Sequence, residues 1–263
     1  MSFSSPVSPT AVLFDFDGTL STLRYGWEKV MRPLMLEMID PQNPTDPALQ
    51  QEVDKYIDQS TGIQTVYQME WLAQKVAQQG KNAQVQDKWW YKEEYNRRLM
   101  KQVEQRITQL ETGVVSRESF LIEGSIPFLE RLKSIGVSLY IASGTDHEDV
   151  VREAKALGVA EYFTQILGAP RRQASCSKER IIRQLLREKG LSGNELLVIG
   201  DGRVEIALGK EAGARTLGIA SDEEHRRGIF PVKQQRLQQA GADRIIGDFS
   251  QLEELLSWMG LTR

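Results

Sequence analysis

The pattern of this chain predicts an α/β fold: a parallel sheet with helices on both faces and an all-helical segment inserted after the first strand. Three observations carry that reading. The stretch AVLFDF, residues 11–16, is an apolar run closed by carboxylates, as a buried strand would be, and Gly18-Thr19-Leu20-Ser21 after it is turn chemistry. From about Gly26 to Gly113 no stretch reads as a strand, while apolar residues recur at helical spacing, as in Leu99, Val103, Ile107 and Leu110. After about Ser116 strand-like and helix-like segments alternate, and such alternation implies parallel strands joined by helical crossovers.

In order along the chain, residues 11–16 are the first strand. Helices are expected over Trp27–Ile39, Pro47–Gln59, Ile63–Gln79 and Ala83–Leu110. Pro41, Pro44 and Pro47 separate the first from the second. Ser60-Thr61-Gly62 and Gly80-Lys81-Asn82 make the next two breaks. Helix Ile126–Ile135 then leads to strand Val137–Ala142, and helix Glu148–Leu157 to strand Phe163–Leu167. Helix Lys178–Lys189 precedes strand Leu196–Ile199, and helix Val204–Ala212 precedes strand Thr216–Ile219. A polar insert near residues 221–241 comes before a strand Arg244–Ile246 and a last helix, Gln251–Met259. The expected organisation is an α/β core of residues 1–22 and 116–263 and a helical unit of residues 23–115.

Bulk composition excludes several classes. The chain has 263 residues, 40% hydrophobic and 26% charged, which is ordinary for a soluble globular protein. A net charge of −3, with no basic tail, argues against nucleic acid as a partner. The lone Cys176 has no internal partner for a disulfide and fits a reducing compartment. MSFSSPVSPT lacks the regions of a signal peptide, and no apolar run reaches membrane-spanning length, so a cytoplasmic protein with no membrane partner is expected. Asn43 heads Asn-Pro-Thr, which the proline disqualifies as a glycosylation acceptor.

In open parallel sheets, ligands bind outside the carboxyl ends of the strands. Those ends read Asp15-Phe16-Asp17-Gly18-Thr19, Ser143-Gly144-Thr145-Asp146 and Gly200-Asp201-Gly202-Arg203-Val204-Glu205. Several carboxylates on one rim need a counter-charge, and Mg²⁺ is the hard, oxygen-seeking cation for it. Adjacent glycines and hydroxyls offer donors to an anion such as phosphate. Magnesium with phosphate points to phosphoryl transfer.

These motifs resemble those of the haloacid dehalogenase superfamily of aspartate-dependent phosphohydrolases. Asp15-Phe16-Asp17-Gly18-Thr19 matches its first motif, Ser143 after Ile141-Ala142 its second, Lys178 its third, and Gly200-Asp201-Gly202-Arg203-Val204-Glu205 its fourth, with Glu205 where the family has Asp. The resemblance implies a Rossmann-like core, and it makes the inserted helices a cap of the C1 type closing over the active site. It implies Asp15 as nucleophile and Asp17 as general acid and base. Lys178 would neutralise developing charge, a role that Arg171 and Arg172 could share. Asp201 would bind Mg²⁺ together with Asp15 and Asp17, and Glu205 would bind the ion or orient its waters. Ser143 and Gly144 would hold the phosphoryl oxygens.

Arg24 and Tyr25, at the hinge into the cap, and Thr61 and Gln64, between cap helices, are candidates for substrate contact. They fit equally a solvated arginine and an ordinary helix cap. Trp71 and Trp89-Trp90-Tyr91 read as packing of the helical unit, and His147 and His225 as surface residues. Gly200-x-Gly202 is not a dinucleotide fingerprint, because Glu205 stands where the third glycine belongs. The leading expectation is a Mg²⁺-dependent phosphatase of a small phosphorylated metabolite, a sugar phosphate or a phosphoglycolate-like ester. A phosphomutase using the same aspartates stays open, as does a non-catalytic binding protein, which retention of all four motifs disfavours. A homo-oligomer is compatible with the sequence.

Overall fold

The structure, a computed structural model, describes residues 8–170, 172–173, 177–188 and 190–262. Six strands form one sheet: β1 (Ala11–Phe14), β2 (Ser138–Asp146), β3 (Gln165–Ala169), β4 (Leu196–Gly200), β5 (Arg215–Ile219) and β6 (Arg244–Ile246). Their order is β3-β2-β1-β4-β5-β6, and every neighbouring pair is parallel. β1 therefore lies centrally, flanked by strands that follow it by well over a hundred residues. In register, Phe14 faces Ile141 on one side and Ile199 on the other. The strand-end motifs at residues 15, 143 and 201 consequently meet on one rim.

Side chains alternate across the sheet with the two-residue period of a strand. Val12, Phe14, Leu139, Ile141, Leu197 and Ile199 face one layer, and Ala11, Leu13, Tyr140, Ala142, Leu196 and Val198 the other. On the first face pack α5 (Ser125–Ser134), α6 (His147–Ala156) and α10 (Leu252–Met259), through residues such as Phe128, Val150 and Leu256. On the second packs α7 (Ser177–Glu188), through Ile181, Ile182 and Leu185. An aromatic row, with Phe128 stacked on Phe249 at 4.9 Å and edge-on to Phe14 at 6.1 Å, ties α5 to the strand that ends at Asp15.

Between β1 and α5 the chain makes four α-helices: α1 (Glu28–Ile39), α2 (Pro47–Gln59), α3 (Thr65–Gln79) and α4 (Lys88–Glu111). Local chemistry sets their ends. Asp46 caps α2 by accepting from the Ala48 N–H, with Pro47 at the first helical position, where its missing N–H costs nothing. α3 stops at Gly80, whose φ of 61° is the left-handed conformation that glycine adopts at low cost. Asp87 accepts from the N–H groups of both Trp89 and Trp90, so α4 begins at Lys88 rather than at Ala83 as the spacing predicts. Trp71 stacks on Tyr56 at 3.9 Å and Tyr91 is fully buried, whereas Trp90 is exposed.

Two further expectations are corrected. Strand β1 ends at Phe14, two residues short of the predicted end, because residues 15–21 turn back in a compact loop that closes with the Gly18 N–H donating to the Ser21 carbonyl at 2.8 Å. The polar insert at 221–241 contains a helix, α9 (Pro231–Gln239), following α8 (Arg203–Glu211) and β5. Its sequence PVKQQRLQQ buries just Lys233 and Leu237, so it carries no apolar period for a sequence reader to find. Among the described residues no helix is long and apolar enough to cross a membrane.

Phe128→Ala should lower stability by about 3–5 kcal/mol, the usual cost of emptying a buried aromatic site. Val114→Ala, at a position 71% exposed, should change it by less than about 0.5 kcal/mol. Urea unfolding monitored by circular dichroism measures both.

Candidate active site

The loops after β1 and β4, the last residues of β2, which runs on to Asp146 past its expected end at Ala142, and the start of α7 deliver their side chains to one cavity of about 100 Å³. Asp15, Asp17, Ser143, Gly144, Lys178 and Asp201 all line it. The backbone places Asp15 firmly, its N–H donating to the Ile199 carbonyl at 2.8 Å across to β4. Gly18 permits the turn that follows. Its φ is 74°, and a Cβ there would overlap the Asp201 carboxylate, so both conformation and space require glycine.

The two motif aspartates have different surroundings. Asp15 Oδ1 lies 3.1 Å from Lys178 Nζ, which also donates to Glu205 Oε1 at 3.1 Å and to the Gly62 carbonyl at 3.2 Å. Burial pushes the Asp15 carboxyl well above the usual range; Lys178 opposes this, while Glu205, Asp201 and Asp17 add to it. Asp17 instead accepts hydrogen bonds at Oδ2 from the hydroxyls of Thr145 (2.7 Å) and Ser143 (3.3 Å). Its other oxygen, Oδ1, is buried without a hydrogen-bond partner and sits 3.9 Å from Arg24 Nε. Burial raises the Asp17 carboxyl too, against Arg24 and Thr145. One aspartate is thus bound to a lysine and the other is gripped by one oxygen, leaving its second toward the cavity wall.

Asp15, Asp201 and Glu205 are all buried, with carboxylate oxygens within 4.8 Å of one another. Glu205 Oε2 has no hydrogen-bond partner. An all-oxygen, anionic set with an unsatisfied acceptor fits a hard divalent cation and suits no soft metal. The Asp17 side chain is outside this trio, turned to Ser143 and Thr145.

Sequence reasoning missed a second lysine. Lys233 on α9 is buried and donates to Asp201 Oδ2 at 2.7 Å and to Glu223 Oε1 at 2.5 Å. Lys178 and Lys233 together leave Asp15, Asp201, Glu205 and Glu223 with four negative charges against two positive ones, the deficit a divalent ion would fill. No motif signals Lys233, since a lysine in a polar helix normally reads as solvated. Thr145 was within reach of the sequence, in the same strand-end run as Ser143.

Other candidates separate. Arg24 and Thr61 line the cavity, and Gly62 and Ile63 sit over it from the turn between α2 and α3. A Cβ on Gly62 would come within 2.9 Å of Glu205 Oε2, so this turn rests directly on the carboxylates. Gln64 is buried beside the cavity, lining an adjoining apolar pocket with Tyr67 and Val204. Tyr25 points elsewhere, its hydroxyl donating to Glu224 Oε2 at 2.9 Å on the surface. Arg172 pairs with exposed Glu93, and Arg171 lies outside the described residues. His147 and His225 are exposed.

Comparison with known proteins gives the family of the chain and the company its fold keeps. Residues 9–213 match the family model of haloacid dehalogenase-like hydrolases, and the chain belongs to that family. A phosphoglycolate phosphatase of Neisseria gonorrhoeae (strain ATCC 700825 / FA 1090) is 30% identical over 91 residues. That stretch is 35% of this chain and 39% of the relative, so the match spans about two fifths of the curated protein's length. The fold is shared with a solved structure from Haemophilus somnus 129pt described as a predicted phosphoglycolate phosphatase (TM-score 0.65, 17% identity, 95% of this chain and 99% of that one). It is shared equally with a β-phosphoglucomutase from Clostridium difficile (TM-score 0.64, 17% identity, 96% and 97%).

Removing Lys233 leaves Asp201 and Glu223 without their cation. Lys233→Met should cost about 3–5 kcal/mol in metal-free buffer, as breaking a buried pair from one side does. Arg152→Ala, which removes an exposed partner of Glu104, should cost less than about 1 kcal/mol. Urea unfolding in EDTA compares them; equal costs would show that the Lys233 pairs contribute no more than a surface contact.

Proposed function

We propose that this chain is a Mg²⁺-dependent phosphatase that hydrolyses a small phosphorylated metabolite through an aspartyl-phosphate. The observation that carries the reading is the division of labour between Asp15 and Asp17 across one cavity: the first lies among carboxylates and a lysine, and the second is anchored by Oδ2 alone.

In this reading Asp15 attacks phosphorus and the ester oxygen leaves. Lys178, already 3.1 Å from Asp15 Oδ1, offsets charge as the phosphoryl group approaches. Ser143 and the Gly144 N–H hold phosphoryl oxygens. Asp17 Oδ1 delivers the proton to the leaving oxygen, and burial, which raises this carboxyl, favours the protonated form that such a donor needs. The same oxygen then takes a proton from the water that cleaves the aspartyl-phosphate. Thr145 fixes its rotamer during both steps, and the longer bond from Ser143 is given up as that hydroxyl turns to the phosphoryl group. Asp15, Asp201 and Glu205 would hold Mg²⁺, which would keep Asp15 ionised and offset charge on the phosphate; Asp17 would join them through its own oxygens or through water.

Helices α1–α4, residues 23–115, serve as the cap. Support comes from the turn at Thr61–Ile63, which overlies the carboxylates, and from the bond between Lys178 and the Gly62 carbonyl. A closable cap suits a small ester better than a phosphoprotein. Arg24, Thr61 and Gln64 would shape the space for the leaving group, and Tyr25 would steady the hinge through Glu224. A cytoplasmic setting fits the single cysteine. A phosphomutase would use the same aspartates, and phosphate release without a bisphosphate activator distinguishes the two.

Asp15→Asn should abolish phosphate release from p-nitrophenyl phosphate while the circular dichroism spectrum stays that of the parent; wild-type release by the variant would exclude Asp15 as nucleophile. Asp17→Asn should slow turnover by about 10²–10⁴, the usual worth of a positioned acid-base group. EDTA should remove activity and Mg²⁺ restore it, with Asp201→Ala no longer responding at the same Mg²⁺ concentration. Activity that persists after exhaustive chelation would contradict the metal assignment.

A further inference from the structure

Arg24 invites a simple reading as the group that would bind an acidic leaving group. It is 7% exposed, lines the cavity and sits beside Asp17. Its hydrogen bonds say otherwise. Nε donates to both carboxylate oxygens of Glu153, at 3.0 and 3.2 Å, and Nη2 donates to Glu153 Oε1 at 2.6 Å and to Asp149 Oδ2 at 3.2 Å. Glu153 is fully buried on α6 and is not part of the cavity lining, so it holds Arg24 from behind the cavity wall. The arginine is therefore held by two carboxylates of α6, with Asp17 as a third neighbour, and its charge is spent before any substrate arrives.

The other buried cations of the site are in the same condition. Lys178 lies between Asp15 and Glu205, and Lys233 between Asp201 and Glu223. Of the described residues that line the cavity, Arg24 and Lys178 are the positively charged ones, and Glu223 adds a further carboxylate to the wall. The cavity is otherwise lined from the helical insert by neutral side chains, Trp27, Thr61, Thr65, Gln68, Tyr95 and Leu99. A divalent ion would balance the carboxylates that the two lysines leave uncompensated, and would leave nothing over for a second anion beside the phosphate.

We propose that the cavity accepts phosphate esters of short uncharged alcohols and rejects esters of hydroxy acids, and that Glu153 sets this preference by neutralising Arg24. The inference rests on the phosphomonoesterase reading of the site. It separates this chain from what the name of its phosphoglycolate phosphatase relative would lead one to assay first. Repulsion of the wrong partner is as effective a source of specificity as attraction of the right one. A carboxylate brought against an uncompensated anionic wall loses at least about tenfold in kcat/KM, which corresponds to a single modest like-charge encounter.

Two esters that differ by one oxygen make the test: 2-hydroxyethyl phosphate, whose leaving group is a neutral diol, and 2-phosphoglycolate, whose leaving group is an acid. Both are assayed by phosphate release with Mg²⁺ at pH 8, above the value of about 7 to which burial raises Glu153. The wild-type protein should prefer hydroxyethyl phosphate by about tenfold or more in kcat/KM. Glu153→Gln should free Arg24 and shift the ratio toward phosphoglycolate by a similar factor, read mainly in KM. Asp149→Asn, a milder change at a partly exposed position, should shift it the same way and serves if the first variant does not fold.

Equal or better wild-type activity on phosphoglycolate would overturn the proposal, and so would a ratio that neither variant moves. The preference is also read without turnover, from the rise in melting temperature that each ester gives Asp15→Asn with Mg²⁺. Loss of all phosphate release from p-nitrophenyl phosphate by the wild-type protein would sink the phosphatase reading. The thermal shifts would still decide the charge preference, with a larger shift by hydroxyethyl phosphate supporting it and a larger shift by phosphoglycolate overturning it.

Discussion

Like charges crowded at the ends of adjacent parallel strands are the constraint on which the rest of this molecule depends. β1 and β4 are neighbours in register, so the residues that follow them, Asp15 and Asp201, are brought together by the sheet itself. Glu205, one helical turn into α8, joins them with its side chain fully inside. Three carboxylates at that distance and depth are not stable alone, because burial costs each its hydration. The fold answers with Lys178 from α7 and Lys233 from α9, one from each side of the group. The remaining negative charge, together with the unpartnered Glu205 Oε2, is what makes a divalent cation fit the site.

The same constraint explains why the helical insert sits where it does. Glycines at 18 and 62 let backbone approach the carboxylates where a Cβ would collide, and Gly144 lets the Ile63–Gln64 backbone of the insert approach β2 where a Cβ would crowd. The turn at Gly62 covers the cluster and offers Lys178 a carbonyl, excluding water from one side. Arg24, in the segment leading out of the β1 loop, is fixed by Glu153 and Asp149 of α6, so the entry into the helical insert is pinned to the core by a buried ion pair. Position of the insert, burial of the carboxylates and shape of the cavity are one problem solved together.

Much of this was legible in the chain. Periodicity and breaker residues placed every strand and nine of the ten α-helices among the described residues to within a few residues, because buried strands and amphipathic helices leave opposite apolar rhythms. Asp15, Ser143, Asp201 and Glu205 could be picked out because strand ends in a parallel sheet share one rim, and Lys178 through its resemblance to the family's third motif. What stayed hidden depends on contacts distant in sequence. Lys233 lies on a helix with almost no apolar face, and just its bonds to Asp201 and Glu223 distinguish it from a solvated lysine. Glu153 falls at an inward position of α6, where a charge was unexpected, and its reason is an arginine 129 residues earlier. Tyr25 was grouped with Arg24 by adjacency, yet neighbouring residues in a turn point in different directions.

The account turns on Asp15 becoming covalently attached to phosphorus, and that attachment can be seen directly. The Asp17→Asn variant, mixed with Mg²⁺ and a phosphate ester with a reactive leaving group, is quenched in acid within the first turnover. It is then digested and read by mass spectrometry after borohydride reduction, which converts an aspartyl-phosphate to homoserine. The account predicts homoserine at residue 15 and unmodified aspartate at 201. Release of phosphate with Asp15 unmodified, or with the mark on another residue, would contradict it.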